Sequence, residues 1–268
     1  MQKVHAHVLK LNPYKDIHHL ATLLFFNGTI SQVLFFGTQA QKKNSKPQQI
    51  EIGQELEIVF SHQKSHADLL KVKEWVVLNR HQEIRNHYSA FSFLHLMSDF
   101  YFKFLPQNQN LSFEDFEIEK PDLNYLLYKK TILIADEKAR MRKPKLEFSY
   151  LWLIFLLKNL RIHGLFPNLA TCEQCQIALN PGLISLFKRS GFICQNCYGT
   201  EIESAKRHFE LWNFLNWAYG AKLEDLVPAE VSENFIAFWF EKLNEAILDV
   251  LSLSAGKLGT LRFFKKDH

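Results

Sequence analysis

Apolar and polar positions alternate from the start of the chain. Val4, Ala6 and Val8 are separated by His5 and His7, the period of two that marks a half-buried strand. The runs 22–26 and 29–36 flank Asn27-Gly28, and Asn-Gly between two β-prone runs predicts a hairpin whose two turn positions both take positive φ. Two further runs, 49–60 with Ile50, Ile52, Leu56 and Ile58, and 69–78, read as strands. Five strands and no helix are thus expected in residues 1–80. Closing them into a barrel removes sticky sheet edges, and five strands suit an OB-fold; a five-stranded SH3-like barrel satisfies the same pattern.

From Ile84 the apolar spacing lengthens to three and four residues. Ile84, Tyr88, Phe91, Leu94, Phe100, Tyr101 and Phe104 predict a helix that ends before Pro106. A second helix is expected from Pro121-Asp122 through Leu123, Leu126, Leu127 and Ile134. A third covers 146–162, with Gly164 and Pro167 as its stop signals. Two more are read near 205–219 and 229–253. The fold class is therefore α+β: an N-terminal five-stranded OB-like β-barrel over 1–80, then an all-helical domain over 81–268 with a zinc ribbon inserted at 171–198. The aromatic stripes of the helices read as core rather than as a ligand platform.

The ribbon rests on cysteine spacing. The chain has four cysteines, Cys172, Cys175, Cys194 and Cys197, in two C-x2-C pairs. A two-residue spacer turns both thiolates of a pair inward from one knuckle, and two knuckles complete a tetrahedron, the pattern of structural zinc. Asn180-Pro181-Gly182 supplies a turn between the pairs, and 183–187 a strand. Two disulfides or a redox pair are the competing uses. Disulfides fit poorly with an N-terminus that shows no export signal, and a redox pair needs one C-x2-C, not two. Four sulfur ligands leave no position for water, so zinc would hold the fold and not perform chemistry.

Charge adds a surface to this scaffold. The 268 residues carry 32 Lys+Arg against 28 Asp+Glu, a formal net charge of +4. The excess lies in the first two thirds of the chain. Lys42, Lys43 and Lys46 stand in a breaker-rich segment after Gly37, and Lys138, Arg140, Arg142, Lys143 and Lys145 form a second cluster. Each has a plain reading, a solvated loop for the first and cations at a helix's negative pole for the second, and each equally suits phosphate contact. The basic tail with Lys257, Arg262, Lys265 and Lys266 reads the same way. No phosphate-binding loop, nucleophile elbow or H-E-x-x-H motif is present, so no enzyme is expected. The histidine pairs His5/His7 and His18/His19 lack a carboxylate cluster and read as surface-strand residues; Glu114–Glu119 reads as a solvated acidic face. No apolar run approaches the ~20 residues of a bilayer span, so a cytoplasmic, nucleoid-associated protein is expected.

Several of these features together resemble one family, the bacterial DNA repair protein RecO. Ala6-His-Val-Leu9, Tyr14 and His19–Leu24 before Asn27-Gly28 are similar to that family's opening strand and hairpin. Gly37 followed by Lys42-Lys43-Asn-Ser-Lys46-Pro47 is similar to its basic loop, and the stretches 160–175 and 191–197 to the flanks of its ribbon. The resemblance implies a recombination mediator of the RecF pathway. Such a protein binds single- and double-stranded DNA, anneals complementary strands and binds the acidic C-terminal tail of single-strand-binding protein. With the partner RecR it helps to load RecA. The alternative is a zinc-ribbon interaction adaptor without direct DNA activity; an enzyme with catalytic zinc is the weakest reading.

Overall fold

The computed structural model describes residues 3–15, 18–36, 49–61, 69–108, 116, 120–179, 185–188, 191–198, 205–222, 232–253 and 258. The fold is α+β, a closed five-stranded barrel followed by helices. The barrel strands are β1 (Lys3–Tyr14), β2 (His18–Phe25), β3 (Ile30–Phe35), β4 (Glu55–Phe60) and β5 (Leu70–Asn79). Helices α1 (Gln82–Asn86), α2 (Tyr88–Phe104) and α3 (Leu123–Arg140) follow, then α4 (Lys145–Ile162). The hairpin β6 (Ser185–Lys188) and β7 (Gly191–Cys194) comes next, with α5 (Gln195–Tyr198), α6 (Ala205–Gly220) and α7 (Glu233–Val250) after it. The chain divides into two compact units, Met1–Lys143 and Pro144–His268. The division falls after α3, so α1–α3 group with the barrel strands.

Closure follows the order β1-β2-β3-β5-β4 and returns to β1. Every neighbouring pair is antiparallel except β3 and β5, which run parallel from Val33↔Leu70 to Phe35↔Val72. That parallel step makes the barrel an OB-like Greek key and not a meander. β1 serves two neighbours: Lys3–His7 pair with β4, and Ala6–Tyr14 with β2. A register shift between Val8 and Lys10 bends the strand from one to the other. The alternation seen in the sequence points inward, with Val4, Ala6, Val8, Ala21, Leu23, Phe25, Val33, Phe35, Leu56 and Ile58 in one core.

Two local expectations are corrected. The β2–β3 turn is not a two-residue one with two positive φ values; among its residues only Gly28 is left-handed, at φ 81°. The Gly28 N–H donates to the Phe25 carbonyl at 2.9 Å and the Phe25 N–H to the Thr29 carbonyl at 2.9 Å, a three-residue loop with a glycine bulge. Asn27 shapes it through its side chain, whose Oδ1 accepts from the Thr29 N–H at 3.1 Å and hydroxyl at 2.7 Å. Second, the strand expected from residue 49 begins only at Glu55. A turn at Ile52-Gly53 intervenes, with Gly53 at φ 84° and its N–H on the Val8 carbonyl at 2.7 Å. A Cβ at Gly53 would stand 2.7 Å from a Leu94 methyl, so α2 packs closely against glycine backbone.

A polar seam explains why α1–α3 belong with the barrel. Buried Glu55 on β4 accepts hydrogen bonds from the Tyr125 hydroxyl at 3.0 Å and from Lys129 Nζ at 2.6 Å, both on α3. These donors outweigh the burial that opposes its ionisation and hold its carboxyl below the usual range. Arg85 donates to the Ile52 carbonyl at 2.8 Å and pairs with Glu51 at 2.9 Å. Asp136 on α3 accepts the Ile84 N–H at 3.0 Å.

His7 and His81 sit in this seam, both buried, His7 against the Gly53 backbone. His7, read as a surface residue, is instead packed between the rings of Tyr125 and Tyr128, at 5.0 and 5.2 Å. Its face of β1 points outward, but α3 covers it. Burial is the main cause that lowers the pKa of His7 to about 3 and that of His81 to about 4.

In the second unit α4 is buried all round, with every residue from Phe148 to Leu160 inside. Trp152 Nε1 donates to Asn244 Oδ1 on α7 at 2.8 Å. Buried Lys158 donates to the carbonyls of Ala218, Ala221 and Lys222 at 3.2, 2.6 and 3.2 Å, and Arg161 to Ala221 at 2.7 Å. Two cations therefore satisfy the carbonyl end of α6 and its negative pole.

The seam dictates an acid response. Between pH 6.5 and about 4 the unfolded chain protonates His7 and His81 while the folded chain does not, so stability falls as pH drops. The slope is up to about 1.4 kcal/mol per pH unit for each histidine. Denaturant midpoints measured from pH 7.5 to 4.5 are expected to decline below pH 6.5; a flat profile contradicts neutral burial of the pair.

Candidate functional site

The four cysteines converge. Their Sγ atoms all lie within 4.8 Å of one another, and Cys175 and Cys194 are 3.5 Å apart. Four sulfurs about 2.3 Å from a tetrahedral ion stand about 3.8 Å apart, whereas a disulfide needs about 2.05 Å. The cysteines are free. The donor set therefore fits a closed, four-thiolate metal site.

Local backbone chemistry builds each knuckle. Asn168 Oδ1 accepts from the N–H groups of Ala170 and Thr171, at 2.9 and 3.3 Å, and starts the first. Its turn closes when the Cys172 N–H reaches the Ile177 carbonyl at 2.8 Å and the Gln176 N–H the Cys172 carbonyl at 2.9 Å. Gln176 is left-handed there, at φ 61°. The β6–β7 hairpin delivers Cys194 at its end, and the short α5 presents Cys197. Two bonds lock the knuckles together, Glu173 N–H to the Phe192 carbonyl at 2.9 Å and Cys194 N–H to Cys172 Sγ at 3.2 Å.

Electrostatics points the same way. Burial opposes ionisation of Cys172, but N–H groups of Cys194, Cys175 and Gln174 outweigh it and bring the thiol down to about 6. Cys197, hydrogen-bonded to Cys175, partly desolvated and beside the Cys172 thiolate, is pushed up to about 12. One thiolate forms easily while Cys175 and Cys197 resist, so bringing their thiolates together calls for a cation. The cluster is anchored to the helices: the Phe187 N–H donates to His208 Nδ1 at 3.2 Å and Trp212 Nε1 to the Leu169 carbonyl at 3.2 Å. Trp239 closes the contact against the His208 and Phe187 rings, at 5.0 and 6.5 Å.

The second basic cluster spans the junction of α3 and α4. Lys138 and Arg140 lie in the last turn of α3, where their charge suits its negative pole. The helix ends with the Lys143 N–H on the Lys138 carbonyl at 3.0 Å and the Arg142 N–H on the Ala139 carbonyl at 2.9 Å. This is the arrangement that favours glycine at the left-handed position, yet Arg142 occupies it at φ 52°. Lys145 opens α4, at the positive pole, where a cation gains nothing from the dipole. Helix-end electrostatics therefore accounts for two of the five cations. Arg140 and Arg142 are exposed and, among the described residues, meet no carboxylate. Lys42, Lys43 and Lys46 lie outside the described residues, as do the basic tail and the turn at 180–182. Of the acidic run only Phe116 is described, and its ring packs on Phe25 and Phe60 at 5.0 and 5.7 Å.

One group escaped the reading of the sequence. Tyr14, His18 and Phe36 emerge side by side on the outside of β1, β2 and the end of β3. The pleat held the signal: with Ala21, Leu23, Phe25, Val33 and Phe35 inside, His18 and Phe36 must face out.

Among the described residues no helix is long and apolar enough to cross a membrane. An OB-like barrel, a helical unit and a four-thiolate site thus define the chain. No family model matches it, and none of the curated proteins does.

If the thiolates clamp the ribbon, replacing Cys175 and Cys194 together by Ser is expected to abolish stoichiometric divalent-metal binding and to lower the thermal midpoint. Metal analysis and melting curves check both; unchanged values for the double variant contradict the clamp.

Proposed function

We propose that the protein is a non-catalytic DNA-binding mediator of repair and recombination. It binds single- and double-stranded DNA, anneals complementary strands, and helps to load RecA onto single strands coated by single-strand-binding protein. In this reading it works in the cytoplasm at the nucleoid, with RecR and the acidic tail of single-strand-binding protein as partners, and the thiolate-held ion is structural zinc. The observation that carries the DNA reading is the run of cations at the end of α3. It sits in the same compact unit as an OB-like barrel, and Arg142 is kept in a conformation that costs roughly 1 kcal/mol. The family resemblance supplies the named partners.

The mechanism follows from charge. Two complementary strands repel through their phosphates, and cations that cover them and release counterions lower the barrier to pairing. No bond is made or broken, so no catalytic group is required.

Contacts to about six phosphates give a log-log salt slope near −4 on single strands. Replacing Arg140, Arg142 and Lys143 by Ala is expected to flatten that slope by about 2 and to slow annealing, as read by anisotropy and strand-pairing assays. Arg142→Gly is expected to raise stability by up to about 1 kcal/mol while weakening binding. Binding that ignores salt, or cation variants that bind like the parent, contradict the mediator reading.

A further inference from the structure

The outer face of β1, β2 and β3 can be laid out row by row from the strand register. One row holds Lys10, Thr22 and Gln32; the next holds Asn12, Leu20, Leu34 and Lys71. The last holds Tyr14 opposite His18, with Phe36 beside them, its ring 5.0 Å from that of His18 at 75°. Rows two residues apart are separated by about 6.6 Å and strands by about 4.8 Å.

The three rows differ in cover. Toward Lys10 the face is shielded by α2, and Lys10 Nζ lies 4.5 Å from the centre of the Phe102 ring. At the far end Tyr14 is 39% and Phe36 43% exposed, large fractions for rings at the wall of a closed barrel. Lys15 leans over Tyr14, with Nζ 5.4 Å from the ring centre. Lys10, Lys15 and Lys71 are all exposed. Among the described residues, none of these row positions is a carboxylate; on β5, Glu74 pairs with Lys73 at 3.6 Å.

An aromatic row framed by lysines offers two different attractions. The lysines draw any phosphate backbone, whereas exposed rings stack on bases only where those bases are unpaired. A duplex keeps its bases stacked on each other and presents phosphates alone. The cations at the end of α3 make no such distinction. From this geometry we propose that the Tyr14–His18–Phe36 row is a base-stacking platform that selects single-stranded over double-stranded nucleic acid. Arg140, Arg142 and Lys143 hold either form. The proposal rests on the DNA-binding reading and divides its labour: rings choose the strand state, and cations set the overall affinity.

The test compares the full-length protein with a Tyr14→Ala/Phe36→Ala variant. Both are titrated with a labelled oligothymidine and with a labelled duplex of equal length at one salt concentration. The variant is expected to lose tenfold or more in single-strand affinity and less than twofold on duplex, with an unchanged salt slope. Because both rings are exposed, the variant should fold; an independent probe is Phe36→Trp, whose indole emission is expected to be quenched by the oligothymidine and not by duplex. Equal losses on both ligands, an unaffected single-strand affinity, or an indole indifferent to the oligothymidine would overturn the platform while leaving the mediator reading standing. A parent protein that binds neither ligand at low salt sinks both.

Discussion

Closing five strands into a ring removes every free edge, so all that the barrel can offer a partner is a face or a loop. That constraint organises the first unit. The bulge in β1 and the parallel pairing of β3 with β5 are what make closure possible, and both are written into the register. One arc of the outer wall is covered by helices, held there by a carboxylate that could not be buried alone. Glu55 is tolerated inside because Tyr125 and Lys129 satisfy it, and removing Lys129 would leave its charge without a counter-ion in a low-dielectric seam. The remaining arc keeps its rings and lysines in solvent.

The second unit solves a different problem. A short hairpin and two knuckles bury too little apolar surface to fold on their own. The four cysteine sulfurs converge within 4.8 Å of one another, a donor set on which a bound cation would supply the missing constraint, and Phe187, His208 and Trp239 tie the knuckles to α6 and α7. Lys158 shows the same economy from the opposite sign, a buried cation satisfied by three carbonyls at a helix end. In both units buried charge is accepted only where its partners are already in place.

Much of this was legible in the sequence. The alternation in β1, the spacing of the cysteines, the start of α3 at Asp122, whose Oδ1 accepts the Asn124 N–H at 2.7 Å, and the Gly164 stop of α4 all lie where local rules put them, since each depends on neighbours a few residues away. What escaped depended on distant contacts. Periodicity marked a change at residue 80, but the attachment of α1–α3 to the barrel rests on Glu55 meeting residues seventy positions later. His7 looked like any outward strand residue, because nothing nearby announces that α3 will cover it. The break at His87, which splits the expected helix into α1 and α2, comes from an extended backbone whose imidazole caps the second helix. The ring row was implicit in the pleat, yet nothing local says which stretch of the barrel wall stays uncovered.

The most direct measurement is a hydrogen-exchange footprint of a single-stranded oligonucleotide on the intact, metal-loaded protein. Slowed exchange is expected in peptides covering 10–20, 30–36 and 138–145, with the seam around Glu55 and the cysteine knuckles unchanged. Protection confined to the knuckles or to α4 and α7, with the barrel wall exchanging as in the free protein, would contradict a nucleic-acid surface built on the barrel.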